Sequence, residues 1–241
     1  MLHKQQLYKS VGFGRFTYIG DPLVAVKIFN EKLAQEICLV DTDPCRYGGT
    51  PDFDLLKDIA GECFMPLSYG GGIDSVAGAR KILYSGFEKI VVNSALHRNP
   101  SLLHALVEEF GSSTVVASVD YKTVGNKTSV FTDGGKTDTG KDPADYIRRL
   151  EDGGAGEILL TNIDREGGMA GADLQPLAAL KTSLGIPLVV SGGIGSPEHI
   201  REAFEHGADA VAAGSLFVYK GPLKAVLINY PEKSELKKLF T

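Results

Sequence analysis

The sequence predicts an α/β protein, a single (β/α)8 TIM barrel built from two duplicated half-barrels. Three observations carry that expectation. Short apolar runs alternate with longer amphipathic stretches, one half of the chain repeats the other at a constant offset, and glycine clusters follow the apolar runs at repeat-related places. The alternation is the pattern of strand, helix, strand in a parallel sheet. In order, strands are predicted over Ile37 to Asp41, Pro66 to Tyr69, Lys89 to Asn93, Val115 to Asp120, Glu157 to Thr161, Pro187 to Val190 and Asp209 to Ala213. Helices are predicted over Pro22 to Lys32, Val76 to Ser85, Ser101 to Phe110, Pro143 to Asp152 and Pro197 to His206. Several open on Asp-Pro, Asn-Pro or Ser-Pro, where a proline suits the first helical turn because the N–H it lacks would have no helical partner.

The repeat is visible in the numbering. Glu36-Ile37-Cys38-Leu39-Val40-Asp41-Thr42-Asp43 resembles Glu157-Ile158-Leu159-Leu160-Thr161-Asn162-Ile163-Asp164, an offset of 121. The same offset maps Asp21-Pro22 onto Asp142-Pro143, Gly71-Gly72-Ile73 onto Gly192-Gly193-Ile194, Gly86 onto Gly207 and Ser94 onto Ser215. Unrelated strand-helix units would not keep register through their loops, so duplication is the reading: one domain over 1–241, with repeats of about 1–113 and 114–235. Four strands per half make the eight-stranded barrel, typically about 250 residues. Subtracting the offset from Val115 to Asp120 gives positions before residue 1, so a first strand is expected to be missing from the chain. Either the true start lies several residues upstream or something else closes the barrel, since an open one leaves two strand edges unpaired.

Composition excludes several classes. With 43% hydrophobic and 23% charged residues the make-up is that of an ordinary globular protein, not a disordered one. A net charge of −5 argues against a general nucleic-acid or anionic-membrane binder while leaving room for a local basic pocket. Cys38, Cys45 and Cys63 lack C-x-x-C spacing and could form at most one disulfide, which indicates neither a disulfide framework nor a thiolate metal site and suits a reducing compartment. No apolar run approaches the roughly 18 residues of a membrane span and no signal peptide is present, so a cytoplasmic location is expected.

In such a barrel the chemistry is placed at the carboxyl ends of the strands. Gly70-Gly71-Gly72-Ile73 follows the third strand, Asn93-Ser94 the fourth, Ser191-Gly192-Gly193-Ile194 the seventh and Gly214-Ser215 the eighth. Glycines there let backbone N–H groups approach an anion. A lone Gly-Gly is equally well a tight turn, but two repeat-related pairs across one mouth suit a ligand with a phosphate at each end. For proton transfer the candidate is Asp120, which ends a buried apolar run where lost hydration raises a carboxyl pKa; a helix cap or an ion pair with Lys122 is the alternative. Asp41, Asp43, Thr161, Asp164 and Glu166 are further strand-end candidates, each of which could instead fasten a loop. None of His3, His97, His104, His199 and His206 is expected at a carboxyl strand end, so a histidine base and a histidine metal site are both disfavoured, and no metal or cofactor is required.

These residues carry a resemblance. Through Tyr69-Gly70-Gly71-Gly72-Ile73, Val92-Asn93-Ser94-Ala95, Val119-Asp120, Gly154-Ala155-Gly156-Glu157-Ile158-Leu159-Leu160-Thr161, Ile163-Asp164-Arg165 and Ser191-Gly192-Gly193, the chain resembles the cyclase subunit of imidazole glycerol phosphate synthase over nearly its whole length from about Leu7. The resemblance implies a barrel that forms a heterodimer with a glutaminase and takes ammonia from it. With that ammonia the barrel cleaves and cyclises a phosphoribulosyl aminoimidazole carboxamide nucleotide, giving imidazole glycerol phosphate and an aminoimidazole carboxamide ribotide in histidine biosynthesis. It further implies phosphate contacts at Gly72, Asn93 and Ser94 on one side and at Gly167, Gly193, Gly214 and Ser215 on the other, and an ammonia gate of Glu36, Lys89 and Glu157 on the amino-end face.

The chain also departs from that family. Of the two aspartates the family uses as acid and base only Asp120 is present, the other's place falling at or just before Met1, and the gate arginine has no match. The family's Asp-Arg-Asp-Gly-Thr run reads Asp164-Arg165-Glu166-Gly167-Gly168. Tyr18 to Pro22 and the tail Lys220 to Pro231 are more similar to a paralogous branch associated with sugar amidation in bacterial surface polysaccharides. Three readings therefore compete: the cyclase, that paralogue, and a non-catalytic ammonia conduit or glutaminase activator. The sister isomerase, which uses the same bisphosphate without ammonia, is a weaker fourth.

Overall fold

The computed structural model describes residues 1–44 and 49–240, so the expectation about Cys45 lies outside the described residues; Cys38 and Cys63 are free thiols. Strands β1 (Leu2–His3), β2 (Gln6–Val11) and β3 (Arg15–Gly20) form an antiparallel meander. Then β4 (Ile37–Val40), β5 (Leu67–Gly70), β6 (Lys89–Val92), β7 (Val115–Val124), β10 (Glu157–Asn162), β11 (Leu188–Ser191) and β12 (Ala210–Ala212) pair in parallel, each with the next, as a nearly closed seven-stranded barrel. The remaining strands, β8 (Lys127–Thr132) and β9 (Thr137–Asp138), extend β7 as an antiparallel flap. Among the described residues no helix is long and apolar enough to cross a membrane.

Strand periodicity explains the two cores. Successive side chains point to opposite faces, so one set meets the helices and the other fills the barrel. Leu39, Leu67, Tyr69, Ile90, Val115, Ala117, Val119, Ile158, Leu160, Leu188 and Val190 pack outward with Leu56, Ile59, Ile82, Leu106, Ile147 and Leu177 of the helices. Val91, Val116 and Leu159, with Val189 and Ala212 against them, form the small inner core. Both faces are thus covered, and the strands read as near-continuous apolar runs.

The helix starts follow from their caps. Asp21 accepts from the N–H of Val24 at 3.0 Å and Asp142 from that of Ala144 at 2.9 Å, opening Pro22–Glu31 and Pro143–Asp152 with proline in the first turn. Ser75 and Ser196 do the same for Val76–Tyr84 and Pro197–Glu205.

Three features differ from expectation. The first strand's place is partly taken: Leu2 makes a parallel bridge with Asp41, and the N–H of Thr42 donates to the Leu2 carbonyl at 3.1 Å, so residues 1–3 run along the carboxyl end of β4. That puts His3 at a carboxyl strand end, contrary to the expectation that no histidine sits there. Its Nδ1 lies 2.6 Å from Asp43 and its ring packs on Tyr8 and Phe16. Second, β7 does not stop at Asp120 but runs on to Val124, because Gly125, at φ +63°, allows a tight return into β8. Third, the hairpin β2–β3, the helices Phe53–Glu62 and Leu177–Ser183 and the C-terminal hairpin Tyr219–Val226 were not anticipated. The β2–β3 turn, Gly12-Phe13-Gly14 with φ +58° at both Gly12 and Phe13, is the local signal for the first of these.

Candidate active site

Asp120 stands where β7 changes partners. On one side β10 stays parallel, with Thr161 opposite Asp120; on the other β6 ends at the level of Ala117, and the antiparallel β8 takes over with Phe131 opposite Asp120. The carboxyl is recessed in the mouth. It accepts a hydrogen bond from the Asn93 amide at 2.9 Å and a further one from the Thr161 hydroxyl. Loss of hydration pushes its pKa up to about 7, against the opposing pull of those two donors. Lys122 does not pair with it; that ammonium donates to the Gly135 carbonyl at 3.0 Å and lies over the Phe131 ring. The ion-pair alternative for Asp120 is therefore set aside.

The other strand-end carboxylates are tied into loops. Asp41 is buried and accepts from the Tyr69 hydroxyl at 3.1 Å and the Asp43 N–H at 3.0 Å. Asp164 is exposed and accepts from the Thr123 N–H at 2.9 Å, fastening the loop after β10 to the β7–β8 flap. Glu166 is buried and accepts from Lys9 Nζ, from Ser10 Oγ at 2.9 Å and from the Phe13 N–H. Below it Asp173 accepts from Tyr121 at 2.9 Å and Asn162 at 3.0 Å, so β7 and β10 hold this loop jointly.

The two glycine turns are built alike at the backbone but differ in their polar groups. Gly192 has φ +95°, and a Cβ there would lie 2.5 Å from the Asn162 carbonyl oxygen; one on Gly71, its repeat equivalent, would lie 2.4 Å from the Asp41 carbonyl oxygen. Only glycine permits either approach. Beside the first turn, Asn93 is committed to Asp120, and the Ser94 hydroxyl accepts from the Asp133 N–H at 2.9 Å. Beside the second, Lys9, Glu166, Gly167, Gly192, Gly193, Gly214 and Ser215 line one small cleft. Among the described residues the buried Ser215 hydroxyl there has no hydrogen-bond partner. Lys9 is the residue sequence reasoning missed: its stem lies against Gly214, and burial, with the nearby Lys224 ammonium, pulls its pKa down to about 8. Cation, hydroxyl and close-packed glycine backbone thus share this cleft with the Glu166 carboxylate.

At the opposite end, Lys89 sits between Glu157 at 2.9 Å and Glu36 at 3.3 Å, three residues at or just before the amino ends of β6, β10 and β4. Burial works against the Lys89 charge, but the two carboxylates outweigh it and hold the pKa above its ordinary value. On the same face, Leu33 and Phe64 in helix-to-strand loops and Tyr84 at the end of the helix Val76–Tyr84 are 83%, 88% and 85% exposed.

The fold is thus a nearly closed parallel barrel that carries a recessed carboxyl and two glycine turns at the carboxyl ends of its strands. The sequence model of the family described as histidine biosynthesis protein matches residues 4–224, and the chain belongs to that family. It is 43% identical over 237 residues to a Leptospira interrogans protein named "Putative imidazole glycerol phosphate synthase subunit HisF", with 97% of this chain and 93% of that protein covered. The Vibrio vulnificus protein that carries the same name with the symbol hisF3 is 43% identical over 99% of this chain and 93% of its own length. For the Pseudomonas aeruginosa protein with the symbol hisF2 the identity is 40% over 98% and 95%.

Proposed function

We propose that the chain is the ammonia-using cyclase subunit of imidazole glycerol phosphate synthase, with Asp120 as its proton-transfer group. The observation that carries the reading is Asp120 itself: a carboxyl with a pKa of about 7, held by Asn93 and Thr161 in the mouth between the two glycine turns. Adding ammonia, breaking a C–N bond and closing a ring all require protons to move near neutral pH, and a carboxyl poised there can take and return them. Lys9, Ser215, Gly193 and Gly214 hold one phosphate of the substrate, and Gly72, Asn93 and Ser94 hold the other. The deciding assay is turnover of the phosphoribulosyl aminoimidazole carboxamide nucleotide with ammonium as nitrogen donor. Formation of imidazole glycerol phosphate is the expected result, and its absence in a preparation that binds the substrate would reject the cyclase.

Ammonia reaches that mouth from a glutaminase docked on the amino-end face. Exposed Leu33, Phe64 and Tyr84 lie on the same face as the Glu36–Lys89–Glu157 cluster and supply the apolar anchors a partner needs. Phe64→Asp is expected to weaken glutaminase binding by about 2 kcal/mol, a factor of about 30, because truncated aromatic anchors cost that much at interfaces. Glutamine-driven turnover falls accordingly while ammonium-driven turnover is kept; equal loss of both would remove the docking assignment.

One observation favours a second reading, the paralogue that passes ammonia to sugar amidation. Gly168 brings no hydroxyl to the loop after β10. Growth of a histidine auxotroph lacking its own cyclase, restored by this chain, would count against that reading.

A further inference from the structure

Glu166 is placed oddly for a neighbour of an anion site. It is itself an anion, it is buried, and it faces the same cleft as the unpartnered Ser215 hydroxyl. What it does is gather donors from the β2–β3 hairpin: Lys9 Nζ, Ser10 Oγ and the Phe13 N–H all converge on its carboxylate, while its backbone carbonyl accepts from the Gly12 N–H at 3.0 Å. The hairpin is pressed onto this loop so closely that a Cβ on Gly167 would lie 2.3 Å from the Ser10 carbonyl oxygen. Four contacts, from residues 9, 10, 12 and 13, thus end on one residue and fasten the hairpin to this loop.

We propose that Glu166 is a latch and that it competes with the phosphate of the ligand for Lys9. The inference rests on the phosphate assignment of the Ser215 cleft. Lys9 is the cationic side chain lining that cleft, and Glu166 already neutralises it. A phosphate dianion entering beside Ser215, Gly193 and Gly214 meets the Glu166 charge unless the Lys9 ammonium turns to the phosphate. That exchange is affordable for Glu166, which keeps Ser10 Oγ and the Phe13 N–H as donors and is not left as a bare buried charge. The consequence is selectivity by charge. A dianion outcompetes the carboxylate for Lys9, whereas a monoanion such as a substrate carboxylate does not, so the cleft admits phosphate and rejects weaker anions.

The test is titration of inorganic phosphate, followed by calorimetry, into the unaltered protein, Glu166→Gln, Glu166→Asp and Ser10→Ala. Freeing Lys9 is expected to tighten phosphate binding about tenfold in Glu166→Gln, the worth of about one charge-assisted hydrogen bond. Glu166→Asp, whose shorter carboxylate withdraws from Lys9, moves in the same direction and covers the case in which the glutamine variant does not fold. Ser10→Ala loosens the hairpin without freeing Lys9 and shows no tightening. If the unaltered protein binds phosphate and both Glu166 variants bind it equally or more weakly, Glu166 only positions Lys9 and the latch is wrong. If none of the four binds phosphate, the cleft assignment falls and takes the latch with it.

Discussion

Asp120→Asn is expected to lower ammonium-driven turnover by roughly 10²- to 10⁴-fold, the usual worth of a positioned acid-base group. The neutral amide keeps the size of the side chain but can neither take nor return a proton. The Asn93 amide and the Thr161 hydroxyl both donate to Asp120, which favours its ionised form as the working base. Activity of the unaltered protein therefore rises as the pH passes through about 7 and is lost below it, and the residual activity of Asp120→Asn shows no such inflection. A pH profile of kcat/KM for both proteins checks this, and a variant retaining full turnover would overturn the role.

Stability moves the other way. The folded protein holds the Asp120 proton up to about pH 7, whereas the unfolded chain releases it near 3.8, so ionising this group costs stability as the pH rises between those values. Removing the charge removes the cost. Above pH 7 Asp120→Asn is expected to be more stable than the unaltered protein by an amount of the order of 1–4 kcal/mol, a gain that disappears below about pH 4. A variant with less activity and more stability, the second only at neutral and higher pH, distinguishes a strained functional carboxyl from one that merely supports the loop.

The second large effect is expected at Gly193. Alanine there must adopt a left-handed φ of +90° and place its Cβ 2.1 Å from the Gly171 carbonyl oxygen. The backbone conformation alone costs about 1–2 kcal/mol, and the clash adds to it because the obstacle is main chain rather than a side chain that can swing away. A loss of about 3 kcal/mol or more is expected, which for a domain of this size lowers Tm by about 6–12 °C. Gly61→Ala is the contrast: it lies in the helix Phe53–Glu62, has nothing within 4 Å of the added Cβ, and should gain about 0.5–1 kcal/mol from helix propensity. Thermal unfolding of the two variants separates glycine as a structural necessity from glycine as a mere occupant.

The barrel was legible because its causes are local. Strand and helix positions follow from apolar runs and from Asp-Pro and Ser-Pro caps, and the glycine turns follow from positions where no side chain fits; each is written within a few residues of chain. Asp120 was legible for the same reason, as a carboxylate at the far end of a buried apolar run, although β7 continues beyond it because a glycine five residues further allows the chain to turn back.

What the sequence by itself determined, then, was the parallel barrel, the glycine turns and the one carboxyl that hydration leaves. Only the tertiary structure decided the charge partner of Lys9. In the first hairpin it meets Glu166, 157 positions away, whereas Glu36, Lys89 and Glu157 were already grouped by the family resemblance and the structure adds their distances. The physical reason is that an ion pair needs its groups within about 4 Å, a condition set by how the strands close and not by any spacing along the chain. His3 shows the same limit from the other side. Nothing near it in sequence marks it as a mouth residue, and it becomes one because Leu2 pairs with Asp41 and sets Asp43 against its ring.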